Sequence, residues 1–152
     1  MIRKKKQSFS TNWKQTWHLL RSWFNRGFLE IKRIDLETPA VVLEKLIEYE
    51  SVHEIEDWTD LHRRLEEDRR CFGFFHPVMP FEPLIFVKVA LTNEISSNVS
   101  ELLKEEVSLE NGSAPTTAIF YSINNCLKGL RGVSFGNLLI KQVVEKLERE
   151  IT

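Results

Sequence analysis

A chain of 152 residues with 42% hydrophobic content has apolar mass for one domain and one core. Its longest apolar runs fall far short of the roughly 20 residues of a membrane-spanning helix, and no apolar h-region follows the basic start, which argues against a cleavable signal peptide. The net charge of −1 is uneven: seven basic residues and no acid precede Glu30, so the remainder carries −8.

Residues 1–10 read as a disordered basic tail. The run Arg3-Lys4-Lys5-Lys6 has no interleaved aromatics, so it suits a solvated tail better than a nucleic-acid groove. Thr11 or Asn12 caps a predicted helix over 11–26, in which Trp13, Trp17, Leu20 and Phe24 recur at helical spacing as a packing face. Gly27 suits its C-cap. Residues 28–36 alternate with a period of two and predict a strand. Thr38-Pro39 opens a second helix with Val42, Leu46 and Tyr49 on its buried face, Leu43 and Ile47 alongside. Asp57 caps a third, with Trp58, Leu61 and Leu65 as its stripe and Arg63, Arg64, Glu66, Glu67 and Asp68 as a solvated charged face.

Residues 71–75 predict a short strand, followed by a connection rich in proline (Pro77, Pro80, Pro83). Residues 84–91 are nearly all apolar, the pattern of a strand covered on both faces. Ser97 or Asn98 caps a short helix holding Val99, Leu102 and Leu103, and residues 108–115 form a flexible loop. A strand over 116–123 and an amphipathic helix over 136–151 complete the chain, with Ile140, Val143, Val144, Leu147 and Ile151 on the helix's apolar side. The chain reads as α/β or α+β with at least four strands. A further strand is expected after residue 152. Without it the 116–123 strand exposes an edge, which predicts self-association or a complementing polypeptide.

The stretch between that last strand and helix carries the chemistry. A helix start exposes backbone N–H groups without helical partners, and the dipole adds partial positive charge there. Small residues let the backbone approach a ligand closely. Arg131, Gly132, Val133, Ser134, Phe135, Gly136 and Asn137, with Lys128 upstream, are therefore a candidate phosphate site. An ordinary glycine-bearing turn satisfies the same spacing. Cys71 and Cys126 lie far apart without C-x-x-C spacing, so a disulfide scaffold or zinc site is not expected; each reads as a small buried residue in a reducing compartment. Ser96, Ser97, His53, His62 and His76 are the local candidates for proton chemistry, and each histidine reads more simply as structural.

Several stretches together resemble the C-terminal half of malonyl-CoA decarboxylases. They are Ser22-Trp23-Phe24-Asn25-Arg26-Gly27-Phe28-Leu29, Arg69-Arg70-Cys71, Glu82-Pro83-Leu84 and Val89-Ala90-Leu91-Thr92 with Ile95-Ser96-Ser97-Asn98. Ala118-Ile119-Phe120-Tyr121-Ser122-Ile123, Gly129-Leu130-Arg131-Gly132-Val133 and Leu139-Ile140-Lys141 leading to Glu148-Arg149-Glu150 continue the series. The resemblance runs from about Trp13 to the end and implies a partial N-acetyltransferase-like (GNAT-like) domain over 11–152. In that fold a mixed sheet flanked by helices carries an acyl-CoA, here incomplete at its C-terminus. It implies that Arg131 to Asn137 hold the CoA pyrophosphate, with Ser134 where the pattern Arg/Gln-x-x-Gly-x-Gly/Ala has its first glycine and where many family members carry an acid.

The family's catalytic serine, in a Ser-x-Ser-Pro-x-Pro-Gly-Phe segment, and its histidine would fall after Thr152, so the resemblance transfers no catalytic residue to this chain. The resemblance likewise leads to the expectation that the family's preceding helical domain is missing, apart from its last helix. What the resemblance implies is decarboxylation of malonyl-CoA to acetyl-CoA and CO2 in fatty acid metabolism, by a truncated or split form. The ligand is malonyl-CoA or another acyl-CoA, with no separate cofactor, metal or nucleic acid, in the cytoplasm, mitochondrion or peroxisome. A non-catalytic acyl-CoA-binding remnant, a protein-interaction module and, more weakly, an acetyltransferase-type enzyme are the competing readings.

Overall fold

The computed structural model of the chain describes residues 28–95, 98–104, 114–128 and 136–151. Four strands, β1 (Glu30–Ile34), β2 (Arg69–His76), β3 (Met79–Thr92) and β4 (Thr117–Asn125), form one sheet in the order β1-β2-β3-β4, antiparallel at every pairing. The helices are α1 (Ala40–Tyr49), α2 (Trp58–Arg63), α3 (Val99–Lys104) and α4 (Gly136–Ile151). This is the expected α+β order. The predicted tail and first helix, most of the 108–115 loop, Ser96 and Ser97 lie outside the described residues.

Local signals explain most boundaries. The Asp57 side chain accepts from the Asp60 N–H at 2.8 Å and caps α2; Asn98 Oδ1 accepts from the Ser100 N–H at 3.1 Å and starts α3. Pro39 precedes α1, where its missing N–H costs nothing. The predicted proline connection is shorter than expected, because β3 already begins at Met79. Pro80, Phe81 and Glu82 have no opposite number between the pairs His76↔Met79 and Phe75↔Pro83. An irregularity of this kind is where a sheet tolerates a residue without an N–H. Glu82 accepts from Lys45 and from the Tyr49 hydroxyl, which fastens this irregular stretch to α1.

The sheet has a core on each face. On one, Leu139, Val143 and Leu147 of α4 pack with Phe72, Phe74, Ile85, Val87, Val89 and Leu91. On the other, Val42, Leu43 and Leu46 of α1 and Leu61 and Leu65 pack with Ile34, Cys71, Phe75, Phe86 and Cys126. Each fully buried Leu or Phe contributes about 1.5–3 kcal/mol. The run at 84–91 is buried on both faces, as expected. In β2, a Cβ at Gly73 would lie 2.5 Å from the ring of Phe75, so that ring fits only over a glycine.

Three sequence expectations are corrected. Trp58 is exposed rather than part of the α2 stripe, which rests on Leu61 and Leu65. The "solvated" charged face is interior in part: Arg64 and Asp68 are buried, Arg63 and Glu66 are half-buried, and Glu67 is exposed. Arg64 donates to the carbonyls of His53 and Glu54 and to both oxygens of Asp60, each at 2.8 Å, and Arg63 grips Asp68 with two bonds of 2.7 and 2.9 Å. A guanidinium's planar fork makes such burial tolerable, and no hydropathy pattern announces it. Among the α4 residues whose burial is described, Leu139, Val143 and Leu147 are buried, while Val144 and Ile151 are exposed and line a shallow apolar groove with Thr117 and Ala118.

The two edges of the described sheet differ. β1 is five residues long and exposes Glu30, Lys32 and Arg33, charges that discourage pairing with another chain. β4 is nine residues long and carries no charge.

Candidate functional site

The candidate phosphate site lies where β4 hands over to α4. Arg131, Gly132, Val133, Ser134 and Phe135 lie outside the described residues; the structure places the two ends of the loop. At the incoming end, the Cys126 N–H donates to the Leu84 carbonyl at 2.9 Å, so β4 remains tied to β3 until the loop begins. At the outgoing end, Gly136 begins α4 as expected, and Asn137 is exposed in its first turn. Leu139, Val143 and Leu147 anchor that helix in the core. No acidic residue stands in the first turn to compete with an anion for the free N–H groups.

β4 is not a regular strand. Lys88 pairs with Ser122 and Val89 with Phe120, so Tyr121 is an extra residue, a bulge. Tyr121 is buried among Ala90 and Leu102, its hydroxyl has no hydrogen-bond partner among the described residues, and the His53 ring lies 6.4 Å away, centroid to centroid.

Beside the bulge sits a feature that the sequence reading missed. The Glu50 carboxylate, just past α1, is fully buried against the Lys88 ammonium of β3. It also accepts from Ser122 Oγ at 3.2 Å, from Asn124 Nδ2 at 2.7 Å and from the N–H groups of Val52 and His53 at 2.9 and 3.2 Å. Burial pushes the Glu50 carboxyl up, but the Lys88 charge and the bonds from Lys88, Asn124 and Val52 outweigh it and hold it at about 2. The available signal was Lys88 itself, one charge inside an otherwise apolar run, which requires a buried acid somewhere else in the chain.

The remaining candidates are scattered. His62 is exposed near Glu66; His76 accepts from the Val78 N–H in the β2–β3 turn; His53 lies beside Tyr121. The structure does not bring the three together. Burial pushes the thiols of Cys71 and Cys126 up to about 12, so both are neutral, packed residues at ordinary pH. Among the described residues no group of three or more His, Cys, Asp or Glu could hold a metal ion, and no helix is long and apolar enough to cross a membrane.

Comparison with known proteins fits this geometry. The malonyl-CoA decarboxylase C-terminal domain model matches residues 27–152. The mitochondrial malonyl-CoA decarboxylase of the goose Anser anser anser is 45% identical over 136 residues, which are 88% of this chain and 27% of that protein. The crystal structure of malonyl-CoA decarboxylase from Agrobacterium vitis superposes with a TM-score of 0.81 at 57% identity, over 88% of this chain and 33% of that one. An aminoglycoside antibiotic 6'-N-acetyltransferase from Acinetobacter baumannii shares the fold alone, with a TM-score of 0.50 at 13% identity over 82% of this chain and 75% of that one. The chain thus spans about a third or less of the decarboxylases it matches, and it belongs to the malonyl-CoA decarboxylase family.

Proposed function

We propose that this chain is the acyl-CoA-binding part of a malonyl-CoA decarboxylase, holding the CoA pyrophosphate on Arg131, Gly132, Val133, Ser134, Phe135, Gly136 and Asn137. The observation that carries the reading is the junction of β4 and α4: in a chain of this family, a strand tied to β3 up to Cys126 leads through a glycine-bearing sequence to an anchored helix start free of acids. The N–H groups of that start and the Arg131 guanidinium suit a diphosphate.

In the reaction, the bond between Cα and the malonyl carboxylate breaks and CO2 leaves. The electron pair passes to the thioester oxygen as an enolate, and a proton added at Cα gives acetyl-CoA. Such chemistry needs an oxyanion donor and a proton donor. We assign neither to a residue of this chain; its part is to bind and orient the thioester. Calorimetric titration with CoA and malonyl-CoA tests the reading. Saturable binding that Arg131→Ala weakens about tenfold is expected, the loss of one charge-assisted contact. A folded chain that binds neither ligand would sink the proposal. Binding without CO2 release would identify a non-catalytic acyl-CoA carrier.

The long uncharged edge of β4 is the place where a strand from a second copy or a complementing polypeptide would add. Sedimentation of the purified chain should show association that rises with concentration; a monomer at every concentration would dispose of self-association.

A further inference from the structure

The bulge in β4 poses a question of register. The half of the strand before Tyr121 is fixed to β3 by the pairs Thr92↔Thr117 to Val89↔Phe120, and the half after it by Lys88↔Ser122 to Ile85↔Asn125. Sliding the second half by one residue would remove the bulge and restore a continuous ladder. It would also carry the start of the loop at Cys126 along by about 3.4 Å, one residue's rise. Backbone hydrogen bonds alone do not prevent this, because every register offers the same N–H and C=O groups.

Side chains do distinguish the two registers. Ser122 and Asn124 are two apart, on one face, and both bond to Glu50. Lys88, opposite Ser122, pairs with the same carboxylate, and all four residues are buried. After a slip, Tyr121 and Ile123 would occupy those places. Isoleucine has no donor, and the phenol is too large for the serine's place. A buried carboxylate would lose its β4 partners, and a buried charge is the group that least tolerates such a loss. Removal of the bulge is therefore resisted at the residues that flank it.

We infer that Glu50 and Lys88 are positioning residues for the acyl-CoA site: with Ser122 and Asn124 they lock the bulged register of β4, and so set where the phosphate loop begins. The functional half of this inference rests on the acyl-CoA reading above; the structural half does not. The role differs from simple stabilisation because it demands an acceptor for β4 rather than a charge.

Two double variants separate the roles. Glu50→Gln with Lys88→Met removes both charges but leaves an amide oxygen to accept from Ser122 and Asn124. Glu50→Leu with Lys88→Met removes the acceptor as well. Cross-strand nuclear Overhauser contacts report the register, and CoA titration reports the site. The Gln/Met variant should keep the contacts between residues 88 and 122 and bind CoA within about threefold of the wild type. The Leu/Met variant should show contacts between 88 and 121 and lose about tenfold or more in affinity, the scale of a lost charge-assisted contact. If the Leu/Met chain does not fold, Ser122→Ala with Asn124→Ala removes the same bonds from the β4 side and should shift register in the same way. Retention of the 88–122 contacts in a folded Glu50→Leu/Lys88→Met or Ser122→Ala/Asn124→Ala chain would overturn the inference. If the wild-type chain does not bind CoA, the acyl-CoA reading falls, while the Overhauser contacts still decide the register claim.

Discussion

On one face of the sheet, α4 lays Leu139, Val143 and Leu147 on a floor of Phe and Val; on the other, α1 and α2 enclose an apolar rim around the Glu50–Lys88 pair. The first face is held by contacts without direction. Its residues can be trimmed and the neighbours settle inward, at a cost graded with lost volume. The second face is held at its centre by bonds that require particular atoms at particular places. The difference teaches a division of labour: the apolar face supplies stability, and the polar centre selects one arrangement from several of similar burial.

The largest effect should come from breaking the pair on one side only. Lys88→Met leaves Glu50 charged in a dry interior and should cost about 3–5 kcal/mol in chemical denaturation. A cost below about 1 kcal/mol would mean that water reaches the pair and that the contrast between the faces is false. Acid offers a second route. The Glu50 carboxyl sits at about 2 against an ordinary 4.5. Its contribution is therefore complete above pH 4.5 and is lost as pH falls toward 2. That loss should be on the order of 3 kcal/mol. Denaturation midpoints measured across this window should fall less for Glu50→Gln with Lys88→Met; equal acid sensitivity would assign the loss to other carboxylates. The smallest effect belongs to the apolar face: Val143→Ala, at a fully buried site, should cost about 2 kcal/mol and leave the acid profile unchanged.

What was legible in the sequence follows the same division. The span of α4 and the twice-covered strand at 84–91 were readable because periodicity reports which faces meet water. Asp57 was readable as a cap, and Asn98 as one of two candidates with Ser97, because capping is local. Glu50 was not, because its partners lie on β3 and β4, 38 to 74 residues away, and only the folded sheet brings them together. Arg64 was misread because its partners include main-chain carbonyls, which leave no mark on a sequence. The prolines of β3 misled for the opposite reason: a strong local signal was overridden by a bulge that Glu82 fastens to α1. α4 begins where the sequence placed it, at Gly136, while β4 runs past the predicted end of its strand at residue 123 to Asn125.

Gly73 and Phe75 carry a consequence for how this fold can diverge. The aromatic ring rests where the glycine's side chain would be, with Ile34 also near, at 3.3 Å. The two positions therefore share one volume and cannot drift independently. Enlarging residue 73 alone collides with the ring, and shrinking residue 75 alone leaves a hole over bare backbone. Related chains should exchange volume between the two sites, keeping their sum while either member varies. Gly73→Ala combined with Phe75→Leu should accordingly be tolerated better than Gly73→Ala alone.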